Sequence, residues 1–195
     1  MLALRKFVLI LSIFGQFLAV EAFAETKSAK PISRTYGFAG TLVDFGICYS
    51  QSKATATPSV GNTWDNSTSI YDVKLGYIND SSIYLGAIYT ARADNQASAN
   101  QTSGSSTGLG LGLFSYSGFN FRAYYKFGDT FGDYKDGTGY QFDMGYAINP
   151  TSSFYLGLNI SFRESTYKTN ATIAGFDSWS RKETYPFVTL GFLIF

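Results

Sequence analysis

The chain has 195 residues, of which 15% are charged and 18% are aromatic, and its formal net charge is +1. Soluble globular domains carry about 25% charged residues, so this chain is short of solvating charge. Its near-neutral balance argues against nucleic acid as a partner. It has one cysteine and no histidine, which excludes an intramolecular disulfide and removes the commonest general base and metal ligand.

The N-terminal segment has the three parts of a secretory signal peptide. Arg5 and Lys6 form a positive region, residues 7–20 are mostly apolar, and a small-x-small cleavage pattern ends at Ala24. The apolar run is shorter than the roughly 20 residues of a membrane-spanning helix. We therefore predict that residues 1–24 are a cleaved signal peptide and that residues 25–36 form a flexible lead-in.

After the lead-in the dominant sequence period is two residues, which is the period of a β-strand. Eight segments with this alternation are predicted as strands, at 38–51, 69–78, 83–92, 107–116, 119–128, 138–147, 153–163 and 184–195. No second apolar run is long enough for a spanning helix. If the mature chain crosses a membrane, it must therefore do so as a closed barrel.

The connections between these strands alternate between long and short. The long ones are predicted at 52–68, 93–106, 129–137 and 164–183, and the short ones at 79–82, 117–118 and 148–152. Tight turns at one end and long loops at the other are typical of outer-membrane barrels. We predict an all-β fold over residues 37–195, an eight-stranded antiparallel up-and-down transmembrane β-barrel with four long extracellular loops and short periplasmic turns.

The chain ends in TLGFLIF, with Gly191, Leu193 and Phe195 at alternate positions. This ending resembles the C-terminal assembly signal of bacterial outer-membrane barrels, and the stretch from Tyr36 onward resembles the small barrels of the OmpA, OmpX and OmpW type. The resemblance implies the outer membrane of a Gram-negative bacterium. It also implies contact with outer-membrane lipids and lipopolysaccharide, and insertion by the barrel assembly machinery through the C-terminal strand. A partner that binds the extracellular loops is possible, and its identity is open.

The last predicted strand is apolar on both faces. If Phe195 and Leu193 face lipid, the opposite face points into the lumen, and it consists of Val188, Leu190, Phe192 and Ile194. Either part of the interior is then apolar, or a β-bulge shifts the register.

Six charged side chains fall on the face predicted to line the lumen: Asp44, Asp72, Lys74, Arg122, Lys126 and Asp143. Strand pairing predicts an ion pair between Arg122 and Asp143 and brings Lys74 diagonally within reach of Asp44. Arg163 is expected near the outer rim. These charges either gate a narrow pore or fill a closed interior with ion pairs. The second interpretation is favoured, because the interior of an eight-stranded barrel is just wide enough for side chains to fill.

No metal or cofactor is predicted. Asp129, Asp133 and Asp136 lie close together in the third predicted loop, but their spacing departs from the EF-hand pattern. A solvated acidic loop is therefore the favoured interpretation. Cys48 and the glycines of the inner row are interpreted as packing positions that leave room for larger neighbours.

Three classes of function are compatible with such a barrel. The favoured class is a non-enzymatic structural or interaction protein, or a narrow low-conductance pore. The alternative is a channel or carrier for a small apolar ligand, as the resemblance to OmpW-type barrels implies. An enzyme that modifies lipids is least favoured, because the outer-membrane lipases, deacylases, palmitoyl transferases and omptin-type proteases use a catalytic histidine, which this chain lacks.

Overall fold

The computed structural model describes residues 39–55, 63–96, 101–150 and 152–194. The predicted signal peptide and lead-in, and the terminal Phe195, lie outside the described residues. In these ranges no helix is long and apolar enough to cross a membrane.

The regular structure of the described residues is antiparallel β-sheet. The strands are β1 (Gly40–Thr55), β2 (Thr63–Ile78), β3 (Ile83–Gln96), β4 (Thr102–Phe114), β5 (Phe119–Phe131), β6 (Tyr134–Ile148), β7 (Phe154–Tyr167), β8 (Thr169–Asn170) and β9 (Trp179–Ile194). β1 to β7 pair in chain order, β7 pairs with β9, and β9 pairs with β1, so that the sheet closes. β8 is a two-residue strand that pairs with β6. The eight long strands form a closed up-and-down barrel, which confirms the predicted fold class.

The outer face of the barrel is apolar between two rings of aromatic side chains. Leu85, Leu109 and Leu111 are 69%, 62% and 64% exposed in the middle of this face. Exposed aromatic residues lie toward the turn end at Tyr77, Tyr146 and Phe154, and toward the loop end at Tyr49, Tyr71, Tyr89 and Tyr140. A continuous apolar band around the barrel would be unfavourable to expose to water, whereas it matches the hydrocarbon layer of a membrane between its two interfaces. The barrel therefore spans a membrane.

The strands are longer at the loop end than the alternation predicts. β1 continues to Thr55, β2 begins at Thr63 and β6 begins at Tyr134. The predicted long loops at 52–68 and 129–137 are therefore mostly strand. Beyond the lipid both faces of the sheet contact water, so polar residues occupy both faces while the backbone hydrogen bonds continue.

The side chains of β9 do not have the orientation in which Leu193 faces lipid. Leu193 is buried inside the barrel with Thr189 and Phe187, whereas the row that was placed in the lumen is exposed on the outside: Val188, Leu190, Phe192 and Ile194. β9 keeps a continuous register with β1 and β7, so no bulge is involved. Part of the interior is therefore apolar, through Leu193 and Phe187.

The seam that closes the barrel is paired over only part of its length. β1 and β9 pair from Thr41–Ile194 to Ile47–Val188. Above this point β9 pairs only with β7, although β1 continues toward the loop end. Pro186 lies in the part of β9 that pairs with β7 but not with β1, and it has no N–H to donate to a second ladder, which suits an edge strand. The seam is thus split toward the loop end.

This split predicts uneven protection of the β1 backbone. Amides of Cys48–Gln51 that point away from β2 should exchange with solvent faster than the equivalent amides of Leu42–Ile47, because only the latter have β9 as a partner. Hydrogen exchange followed by NMR in lipid nanodiscs measures this difference. Equal protection of the two segments would mean that the seam is closed along its whole length.

Candidate functional site

The candidate site is the buried polar interior of the barrel. The side chains of a strand alternate between its two faces, and each of the six charges singled out by the sequence points inward and is at most 4% exposed. Arg163 and Asp129 are buried in the same interior. The expectation that Asp129 lies in a solvated loop is therefore wrong, because β5 extends further than predicted. Arg163, expected near the outer rim, is buried in β7 toward the loop end, where it lines the same space as Asp129.

The ion pairs cross the lumen. Lys74 Nζ of β2 lies 2.6 Å from Asp143 Oδ2 of β6, and the Arg122 guanidinium of β5 pairs with the Asp44 carboxylate of β1. Three strands separate the members of each pair in either direction around the barrel. These two ion pairs therefore join opposite walls and occupy the space between them.

Asp72 is the centre of a third set of contacts. Its carboxylate accepts hydrogen bonds from Arg163 Nη2 at 2.6 Å, Thr90 Oγ1 at 2.9 Å and Gln141 Nε2 at 3.0 Å. Lys74 Nζ lies 3.7 Å from the same carboxylate. Four strands thus contribute side chains to one buried anion, and the lumen is filled at this level.

The predicted pair between Arg122 and Asp143 is wrong, although its register is right. The two residues are directly opposite each other on β5 and β6. The Arg122 guanidinium nevertheless extends across the lumen to Asp44, and Asp143 pairs with Lys74. A long side chain in a narrow barrel reaches the opposite wall as easily as it reaches its neighbour, so strand pairing alone did not identify the partners.

The buried charges balance. Among the residues that the structure describes, four acidic and four basic side chains lie buried in the interior: Asp44, Asp72, Asp129, Asp143, Lys74, Arg122, Lys126 and Arg163. A charge that is removed from water must be compensated by a partner and by hydrogen bonds. The balance therefore accounts for how a barrel of this width can hold eight charges.

An apolar cluster closes the lumen at the turn end. Its members are Leu42, Ile78, Tyr84, Ile88, Phe114, Tyr124, Ala147, Tyr155 and Leu193. The rings of Phe114 and Tyr155 are 5.3 Å apart, and the Tyr155 hydroxyl donates a hydrogen bond to Asp44. The Tyr155 ring lies directly against Gly191 and occupies the space that a Cβ at position 191 would need. The cluster and the ion pairs are therefore packed as one continuous plug.

A second, smaller apolar cluster lies beside the unpaired part of the seam. It consists of Cys48, Ile70 and Phe187, with Tyr185 packed against it. The Arg163 guanidinium stacks on the Phe187 ring at 4.5 Å. This cluster occupies the interior where β1 and β9 separate.

Ion pairs also bridge the split seam from inside. Arg92 and Asp94 of β3 pair with Glu183 and Arg181 of β9, at 2.5 Å and 2.8 Å. The Phe131 ring lies near both guanidinium groups, at 5.5 Å from Arg92 and 4.2 Å from Arg181. β9 is thus held at the loop end by side chains where backbone pairing with β1 is missing.

The loop end carries an aromatic cluster above this network. The ring centroid of Tyr134 lies 4.5 Å from that of Trp179 and 5.6 Å from that of Phe176. The rings of Trp179 and Tyr167 are stacked, with 5.4 Å between their centroids. The contacts hold the start of β6 against the segment that leads from β7 to β9. The surface at this end of the barrel is therefore packed through aromatic contacts.

The acidic residues of the third predicted loop do not converge. Asp129 faces the interior, whereas Asp133 and Asp136 are exposed and accept hydrogen bonds from Thr172 and Thr169. Within the part of the chain that the structure describes, no group of three or more cysteine, aspartate or glutamate residues could hold a metal ion.

Comparison with known proteins yields a likeness of fold. No model of a protein family matches the sequence, and the search of curated proteins gives no significant match. Among solved structures, the chain is similar to the solid-state NMR structure of the outer membrane protein AlkL in DMPC lipid bilayers. The match has 12% sequence identity, covers 87% of this chain and 97% of that chain, and has a TM-score of 0.42. At this level of similarity, what the chain does is inferred from its own side chains.

Proposed function

We propose that this chain is a non-enzymatic barrel of the outer membrane of a Gram-negative bacterium, with a sealed lumen, which acts as a structural or interaction protein through its loop end. The observation that carries the proposal is the set of buried ion pairs that cross the lumen. The signal peptide predicted over residues 1–24, the apolar outer face and the lack of histidine support it.

Sealing follows from where the ion pairs lie. A conducting pore needs a continuous path of water, whereas Lys74–Asp143 and Arg122–Asp44 bridge opposite walls and are at most 1% exposed. Opening the path would separate these charges in a low-dielectric interior and would also displace the apolar cluster at the turn end. Both steps cost free energy, so the closed state is favoured.

The surfaces left for partners are the outer face and the loop end. Lipid tails contact the apolar band, and lipopolysaccharide would surround the loop-end aromatic ring. The C-terminal residues Gly191, Leu193 and Phe195 remain the proposed contact for the assembly machinery. A partner in solution would meet the exposed loop end, where Ile173 and the side chains around Trp179 are accessible.

Single-channel recording tests the seal. Protein extracted from the outer-membrane fraction should give no conductance steps in planar lipid bilayers. The double variant Lys74→Ala/Asp143→Ala should give them, because it removes a pair that crosses the lumen. Lys182→Ala is the matched control, since Lys182 pairs with Glu164 outside the lumen and is 73% exposed. Regular steps from the unmodified protein would support the narrow-pore alternative, and recovery from the soluble periplasmic fraction would contradict the location.

A carrier of a small apolar ligand is the second candidate. The apolar row of β9 at Val188, Leu190, Phe192 and Ile194 faces outward and gives it no support. Its support comes from Cys48, Ile70 and Phe187, which form an apolar cluster inside the barrel beside the split seam. Native mass spectrometry of protein purified in mild detergent distinguishes the two functions. A retained acyl chain that is lost in Phe187→Ala would favour the carrier, whereas ligand-free protein favours the sealed barrel.

A further inference from the structure

A cavity of about 30 Å³ lies at the loop end of the lumen, above the ion pairs that seal it. Its lining includes Ser106 of β4, Lys126 and Asp129 of β5, and Arg163 of β7. A space of this size accommodates about two water molecules or one ion of similar volume. We propose that this cavity binds a small monovalent anion of the size of chloride. The proposal is independent of whether the barrel conducts.

One bulge in β5, which shifts the register with both neighbouring strands, builds the wall of the cavity. The β5–β6 ladder shifts register between Lys126 and Asp129, where Phe127 and Gly128 are both exposed and Gly128 has a φ of 61°. The extra residue turns both Lys126 and Asp129 inward, although they are three positions apart. The β4–β5 ladder shifts at Ser106, which leaves this residue out of the pairing. The side chains of the barrel wall therefore change direction at the point where the cavity forms.

At the cavity, one buried hydroxyl has no hydrogen-bond partner among the described residues, and one buried ammonium has only a long ion pair. Lys126 is 4% exposed, and its ammonium lies 3.7 Å from Asp129 Oδ2, which is beyond hydrogen-bond distance. That carboxylate is already engaged by Ser165 Oγ at 2.5 Å and Tyr167 Oη at 3.2 Å. Ser106 is 3% exposed, and its hydroxyl has no hydrogen-bond partner. A buried ammonium has three N–H donors to satisfy, so the cavity calls for a hydrogen-bond acceptor.

The charge around the cavity favours an anion as this acceptor. Four cationic side chains line it, Arg92, Lys126, Arg163 and Arg181, against two carboxylates, Asp129 and Glu183. Asp72, which pairs with Arg163, and Asp94, which pairs with Arg92 and Arg181, are not part of the lining. Glu183 is part of it and is shared between Arg92 and Arg181. An acceptor in the cavity therefore experiences an excess of positive charge. Room for about two water molecules suits a small monovalent anion such as a halide.

The test compares stability in two sodium salts of equal ionic strength. Folded full-length protein in detergent is unfolded by urea in sodium chloride and in sodium gluconate, whose anion is too large for the cavity. Chloride should raise the unfolding midpoint, and the rise should saturate with concentration, because a ligand that binds only the folded state stabilises it by mass action. Equal midpoints in the two salts would overturn the proposal and would mean that the cavity holds water only.

Variants assign the effect to the cavity. Lys126→Met should abolish the chloride response, and Ser106→Ala should raise the chloride concentration for half-saturation roughly tenfold, which corresponds to one lost hydrogen bond to a charged group. Lys182→Met, on the outer surface, is the control and should keep the full response. An undiminished response in Lys126→Met contradicts the proposal. If Lys126→Met does not fold, an unchanged half-saturation in Ser106→Ala contradicts it instead.

Discussion

Lys74→Met will lower the free energy of unfolding of the barrel by roughly 3–5 kcal/mol, because it leaves the Asp143 carboxylate buried without its cation. Lys74 and Asp143 are each 1% exposed and lie 2.6 Å apart on opposite walls. Gln141 Nε2 would still donate to Asp143 at 3.0 Å, but an amide does not neutralise the charge. Urea unfolding in lipid vesicles measures the loss. A loss below about 1 kcal/mol, typical of an exposed pair, would mean that water reaches the lumen at this level.

A double-mutant cycle then separates the pair from the cost of each single change. Asp143→Leu should be similarly destabilising, and Lys74→Met/Asp143→Leu should cost less than the sum of the two, because no uncompensated charge remains. The matched control is Lys182→Met with Glu164→Leu, an exposed pair at 3.1 Å. There we expect single losses of about 0–1 kcal/mol and little coupling. Strictly additive losses for the buried pair would contradict the cross-lumen ion pair.

Tyr155→Ala will also be strongly destabilising, with an expected loss of about 3–5 kcal/mol for removing a large buried aromatic side chain. Its hydroxyl also donates to Asp44, which is buried with Arg122. Gly191→Ala should cost about 1–3 kcal/mol, because a Cβ at this position overlaps the Tyr155 ring. Urea unfolding of refolded protein in lipid measures both changes.

Combining the two changes tests their contact. In Gly191→Ala/Tyr155→Ala the ring is absent, so the added methyl group no longer overlaps it and only the Asp44 carboxylate, with Oδ1 at 2.5 Å from that Cβ, has to shift. The double variant should therefore lose less than the sum. Gly46→Ala is the control, because a Cβ there would meet its nearest atom, Phe187 Cδ1, at 3.2 Å and would not touch Tyr155. If Gly191→Ala refolds normally in vitro but fails to accumulate in cells, Gly191 acts in assembly and not in packing.

The period of two residues by itself determined the eight strands, their limits at the turn end and the inward direction of the six charges. In a strand, odd-numbered and even-numbered positions face opposite sides, which is the parity of the sequence. Because one side contacts lipid and is apolar, this parity can be seen in the sequence as alternation. The parity carried no information for β9, where both faces are apolar. Only the pairing with β1 and β7 placed Leu193 inside and Phe192 outside.

The tertiary structure decided the remaining features, each for a geometric reason. The partners of Arg122 and Lys74 lie on opposite walls, and a distance across the lumen is set by the closure of the barrel and not by spacing along the chain. The inward turn of Asp129 depends on a bulge, which shifts the parity on which a sequence pattern relies. The strand ends beyond the membrane were missed because water on both faces removes the alternation, while backbone hydrogen bonds, which any residue but proline can donate, continue the sheet.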